Sequence, residues 1–189
     1  DSLPFSDVMS GTGAMTKNGA GTLTLSGTST LSGATTVSAG TLLVSGSLAN
    51  SAVTVSSGAT LMGAGRVGAL TVGGTVDPGN SANAVGKLEC GALTLNAGGA
   101  LRVDMANVSG TAGTHWDLLA GGAITANASG TFTINVAGNP TGWNATAGYS
   151  WTIISGSSVS SFSAGRFTVN TASSTPGLDG GSFSVENVG

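Results

Sequence analysis

Residues Gly21–Leu42 read GTLTLSGTSTLSGATTVSAGTL, and this stretch decides the fold. Thr22-Leu23-Thr24-Leu25 alternates polar and apolar residues with period two, the pattern of a strand with one buried face. A run of small residues leads to Thr35-Thr36-Val37, a Ser38-Ala39-Gly40 corner and Thr41-Leu42-Leu43-Val44. Looser copies follow: Ala52-Val53-Thr54-Val55 with Ala59-Thr60-Leu61, Ala69-Leu70-Thr71-Val72 with Thr75-Val76, and Ala92-Leu93-Thr94-Leu95 with Ala100-Leu101-Arg102-Val103. The copies start 17 residues apart from Thr35 to Ala52 and from Ala52 to Ala69, then 23 apart from Ala69 to Ala92. The longer interval holds an insertion, Asp77-Pro78-Gly79-Asn80-Ser81-Ala82-Asn83-Ala84.

Strands this short, repeating about every 20 residues, predict an all-β, right-handed parallel β-solenoid (a β-helix). One coil cannot bury its Leu/Val row alone, whereas coils stacked about 4.8 Å apart build a continuous aliphatic ladder. Gly, Ser and Ala suit the corners, where the chain turns sharply and large side chains would collide between coils. Outward Thr and Ser would form hydroxyl ladders, a position that β-branched Thr favours. Residues 1–20 read as an N-terminal arm or incomplete first coil, with Pro4, Phe5, Val8 and Met9 as candidate residues of an assembly arm that could complete a neighbour's β stack. Residues 21–105 read as the solenoid repeats. From 106 to 189 the texture changes, because all three Trp, the single Tyr and four of the five Phe lie there. That region is expected to continue the stack or to cap its end.

Composition agrees with an ordered β-rich chain. Charged residues are 7%, against about 25% in an average domain, while hydrophobic residues are 40% and mean hydropathy is +0.31. Disordered chains show the opposite balance. The formal net charge is -3 and the five Lys and Arg are scattered singly, which argues against a nucleic-acid surface. No run is apolar enough to span a membrane as a helix, so no membrane insertion by this chain is expected. The opening DSLPFSDVMSG does not read as a signal peptide, so a signal for export would lie outside the chain or have been removed. Cys90 is the single cysteine, which rules out an intrachain disulfide and fits a small buried hydrophobe.

The run Met15-Thr16-Lys17-Asn18-Gly19-Ala20-Gly21-Thr22-Leu23-Thr24-Leu25-Ser26-Gly27, followed by Gly33-Ala34-Thr35-Thr36-Val37-Ser38-Ala39-Gly40-Thr41-Leu42, resembles the autotransporter-associated β-strand repeat. This repeat, also called the passenger-associated repeat, occurs in bacterial secreted and surface proteins. Gly74-Thr75-Val76-Asp77-Pro78-Gly79-Asn80-Ser81 looks like the family's exit from the repeat. The resemblance covers residues 11–105 well and 106–189 only in style. It implies a β-solenoid and export to the cell surface, and it implies no catalytic residue. No run of amphipathic strands with aromatic girdles suggests a translocator barrel in this chain.

Residues able to carry chemistry are few. His115 is the single His, no G-x-S-x-G is present, and a turn or strand-end role is expected for it. Among the eight carboxylates, Asp77 with Glu89 or Asp104 with Asp117 could face each other across coils as a glycosidase pair does. The acidic residues are too sparse, and lack the repeating motif, for the calcium sites of β-rolls. Asp77-Pro78-Gly79-Asn80 reads as a turn. Asn107-Val108-Ser109, Asn127-Ala128-Ser129 and Asn144-Ala145-Thr146 match the glycosylation sequon. No catalytic, cofactor or metal residue is therefore assigned. Trp116, Trp143, Tyr149 and Trp151 are candidate stacking platforms for a host or matrix glycan, against core or cap packing. The expectation is a non-catalytic extracellular structural segment, a passenger or stalk, secreted or held at a bacterial cell surface. Two alternatives are a subunit that self-associates into a fibre through its terminal β edges, and a carbohydrate-binding or carbohydrate-active β-helix.

Overall fold

A computed structural model describes residues 1–126, 129–174, 178 and 182–188. Its strands form three parallel sheets that run the length of the molecule, so the fold is the β-solenoid that the repeat predicts. Eight strands make a broad face, from Ser2–Phe5 at one edge to Phe167–Ser174 at the other. Seven make a second face, from Met15–Lys17 to Ser158–Ser160, and five make a narrow face, from Ser47–Leu48 to Ile154–Ser155. Each full coil passes from broad to narrow to second face before returning one level up. A single 3-10 turn, Ala164–Arg166, is the one helical element among the described residues.

Register explains why period-two alternation is enough to hold the stack. On the broad face Leu23 pairs with Leu42, Leu42 with Leu61, and Val76 with Leu61 and Leu101; Ile134 and Val169 extend the row. Leu42, Leu61, Val76 and Leu101 are fully buried. Val37, Val55, Val72 and Leu95 form a matching row on the second face, with Val53, Leu70 and Leu93 beside it. A slip of one residue would turn every one of these side chains outward, so burial pins the register. Between the inward rows, Thr16, Thr36, Thr54, Thr71, Thr94 and Thr125 stand in register as an outward hydroxyl ladder.

Corners and ends follow from the same geometry. Gly40 has φ +65, and a Cβ there would run into the backbone of residues 19–21 in the coil beneath. Only Gly accommodates both demands. At the start of the stack Lys17 occupies an inward position and is buried, its Nζ donating to the carbonyls of Asn18, Gly19 and Ala39 at 3.2, 2.8 and 3.0 Å. Thr35, also inward, satisfies its hydroxyl against Ser51 Oγ at 2.7 Å. Ser2–Phe5 pairs in parallel with Thr22–Leu25, so the N-terminal residues form the first partial coil of their own stack. Phe5 and Met9 pack against the core, whereas Pro4 and Val8 are exposed.

The faces continue without a break beyond residue 106. Broad-face strands lengthen from Thr75–Pro78 to Ala100–Asn107 (8 residues) and Phe132–Thr141 (10 residues), and the coil widens to admit the larger side chains. Cys90 lies in the core, 7% exposed, and burial pushes its thiol up to about 11, which makes it an inert hydrophobe.

The ladder makes a direct stability prediction. Leu61→Ala removes a fully buried rung and is expected to cost about 2–5 kcal/mol. Thr54→Ser, on the exposed ladder, is expected to stay within about 0.5 kcal/mol. Urea denaturation of the two variants checks this, and equal losses would show that the inward rows do not hold the stack.

Candidate functional site

Three of the four buried charged residues among the described residues, Asp77, Asp104 and Asp117, converge at one place. On strand Thr75–Pro78 the inward side chain is Val76, which leaves Asp77 pointing outward. On the next broad-face strand Leu101 and Val103 point inward, which leaves Arg102 and Asp104 outward beside it. Outward residues on such a face would ordinarily meet water. Here two excursions of the chain, 79–86 and 108–117, close over them, and Asp77, Asp104 and Asp117 are 4%, 1% and 1% exposed.

Asp117 is the clamp of this closure. Its Oδ1 accepts the Gly86 N–H at 2.7 Å and its Oδ2 accepts the Asp104 N–H at 2.8 Å, while its own N–H donates to the Asp104 carbonyl at 3.0 Å. Arg102 Nη2 and Nε donate to Asp104 Oδ1 and Oδ2 at 2.9 and 3.2 Å, and Nη2 also reaches Asn83 Oδ1 in the 79–86 loop. Asp77 is less well served. Its Oδ2 lies 3.8 Å from Arg102 Nε, outside hydrogen-bond range, and its buried Oδ1 has no partner. One oxygen from each of the three carboxylates lies within 4.8 Å of the other two.

Electrostatics follow from that crowding. Burial, then repulsion from Asp104, pushes Asp77 up to about 6 against the pull of Arg102. Burial pushes Asp117 up to about 8, opposed by its two backbone N–H donors. Arg102 is held above its ordinary value, first by its hydrogen bond to Asp104. Glu89 stands apart on the surface, bound to Lys87 Nζ at 2.6 Å and Arg66 at 3.4 Å, and the Lys87 bond lowers its carboxyl. The structure thus brings Asp104 and Asp117 together and joins Asp77 to them, whereas Glu89 belongs to a separate ion pair. All three carboxylates are buried, whereas a glycosidase pair flanks a bond that the substrate must reach.

The aromatic residues gather at the other end of the region. Trp143, Tyr149 and Trp151 stack on one another, with centroids 5.3 Å apart for Trp143–Tyr149 and 5.4 Å for Tyr149–Trp151, and Phe183 stacks on Trp143 at 6.2 Å. Their polar tips are engaged, Trp151 Nε1 donating to the Val108 carbonyl and Tyr149 Oη to that of Gly142. Trp116 is separate from the stack, buried, its Nε1 donating to the Thr152 carbonyl at 3.1 Å. The rings border a cavity of ≈ 680 Å³ that also touches Val103, Met105 and Ile134 of the core. Trp143, Trp151 and Phe183 are partly buried against the core at this end of the solenoid.

The remaining sequence candidates are local. His115 Nδ1 accepts the Thr111 N–H at 3.1 Å and closes a turn. Asn107 and Asn144 spend their carbonyl oxygens on Ser109 N–H and Thr146 N–H, whereas the Asn127 sequon lies outside the described residues. In the Asp77–Asn80 turn, Asn80 Oδ1 binds the Ala64 N–H of the coil beneath, and Asp77 takes no part in bonding the turn. What sequence reasoning missed is the three-carboxylate cluster. Its only trace is Asp77 just before the insertion and Arg102-x-Asp104 in the next copy, both outward by alternation.

These features define a three-sided parallel β-solenoid whose sole concentration of buried charge, among the described residues, lies under two loops. A family model described as passenger-associated-transport-repeat matches residues 15–44, so the chain carries a repeat of the family that its opening stretch resembles. That match spans four strands, Met15–Lys17 and Thr35–Val37 of the second face and Thr22–Leu25 and Thr41–Val44 of the broad face. Comparison with curated proteins and with solved structures gave no match.

Asp117→Asn tests the clamp. The amide would turn an N–H donor toward one of two backbone N–H groups, and leaving that donor unpaired is expected to cost about 1–3 kcal/mol. Chemical denaturation measures the loss. Unchanged stability would mean that Asp117 does not hold the two loops.

Proposed function

We propose that the chain is a non-catalytic structural segment of a bacterial passenger, displayed outside the cell as a length of β-solenoid. The observation that carries this reading is the uninterrupted parallel pairing along all three faces, in a chain whose residues 15–44 match the passenger-associated-transport-repeat. That repeat family implies a secreted or surface-exposed protein. Low charge and a surface of Thr, Ser and Asn suit a rod that must stay folded without cellular cofactors. The buried carboxylates bind loop backbone, and the aromatic rings pack on one another, which supports the non-catalytic reading.

The reading predicts that extended trypsin or proteinase K treatment leaves a resistant core reaching from the 15–44 repeat to the 167–174 strand. It also predicts that the protein releases no reducing ends from a panel of polysaccharides. Rapid cleavage within the coils, or sugar release that tracks the purified protein, would sink it.

A second reading, assembly into a fibre, is favoured by the strand edges. Among the described residues Ser2–Phe5 and Phe167–Ser174 each pair on one side only within the broad face, and parallel edges of this kind suit head-to-tail addition of another copy. Pro4 works against it by removing one N–H from the first edge. Multi-angle light scattering over a hundredfold range of concentration separates the two readings. Mass growing with concentration supports the fibre, and a constant monomer mass rejects it.

A further inference from the structure

We propose that Asp77, Asp104 and Asp117 form a divalent-cation site, best suited to Ca²⁺, that ties the two covering loops to the broad face of the solenoid. The cluster itself is three buried carboxylates, each offering an oxygen within 4.8 Å of the others. The independent sign of a ligand is Asp77, whose side chain is 5% exposed and whose Oδ1 has no hydrogen-bond partner. An orphaned carboxylate oxygen in such a place is costly unless something positive sits against it.

Charge and donor chemistry specify what that is. With all three carboxylates ionised, they and the Arg102 guanidinium sum to -3 + 1 = -2, the complement of one divalent ion. Lys87 and Arg66, the nearby cations, are engaged by Glu89 instead. All the donors are hard oxygens with no His or Cys among them, which selects Ca²⁺ or Mg²⁺ over zinc or copper. Ligand oxygens on one Ca²⁺ lie up to roughly 4.6–5.2 Å apart and Ca²⁺ tolerates irregular geometry, so three oxygens within 4.8 Å of one another suit it better than the strict octahedron of Mg²⁺. Asp104 and Asp117 keep lone pairs beyond those that meet Arg102 and the backbone N–H groups. The exposed residues 80–83 of the covering loop give water, and an ion, a way in.

The test uses the whole chain, first stripped with EDTA. Isothermal titration with CaCl₂ is expected to show one site per chain, and Ca²⁺ at a hundredfold over its dissociation constant to raise the unfolding midpoint by about 5–10 °C. Asp77→Asn is expected to be at least as stable as the parent in EDTA, because it relieves repulsion, and to lose the Ca²⁺-dependent rise. Three outcomes would overturn the proposal. Absence of both heat and a thermal shift in the parent would mean that a proton alone satisfies Asp77. An equal Ca²⁺ shift in the variant would put the ion elsewhere. A variant less stable than the parent in EDTA, by as much as in Ca²⁺, would make Asp77 a structural residue only.

Discussion

The structure depends on one constraint: inward aliphatic side chains must meet like side chains one coil above and below, in register. Parallel strands close their hydrogen bonds only to neighbouring coils, so the backbone cannot be satisfied within a single turn of the chain. Leu42 between Leu23 and Leu61, and Val55 between Val37 and Val72, show the rule at its simplest. The same rule dictates small residues at the corners, because adjacent coils approach too closely there for a side chain. Where the rule breaks at the first coil, Lys17 fills the inward position and spends its ammonium on three carbonyls.

A stack with uniform coils has little room for chemistry, since each outward column repeats the same small hydroxyl. Variation enters only where coils lengthen. The insertion after Asp77 and the excursion between strands Ala100–Asn107 and Leu118–Ala120 cover part of the broad face and bury charge there. The wider final coils need larger side chains, and the aromatic stack at Trp143, Tyr149 and Trp151 answers that need. Length, local burial of charge and a packed end therefore arise from one device, a change in the number of residues per coil.

Much of this was legible in the residues. Thr22-Leu23-Thr24-Leu25 and its copies reveal inward and outward positions directly, because period two needs no knowledge of partners. The small corner runs mark where each strand ends, and the resemblance of 15–42 fits the repeat found at 15–44. The carboxylate cluster was only half legible. Asp104 with Asp117 was a visible pairing, but joining Asp77 rather than Glu89 requires the register Val76–Leu101, which skips an insertion of unknown path. Similarly, the rings of Trp143 and Phe183 meet although 40 residues separate them in the chain (183 - 143 = 40), and no local pattern records such a contact. Local alternation is written in one strand, whereas contacts between insertions are written in none.

Spin labelling of the outward ladder tests the central claim most directly. Thr54 and Thr71 are register partners on adjacent coils, and Thr54 is exposed. Nitroxides on Thr54→Cys and Thr71→Cys would be anchored about 4.8 Å apart. Cys90, buried with its thiol pushed up to about 11, should stay unlabelled. The account predicts strong dipolar broadening in the double variant that neither single variant shows. A double-variant spectrum equal to the sum of the singles would contradict parallel, in-register stacking of the coils.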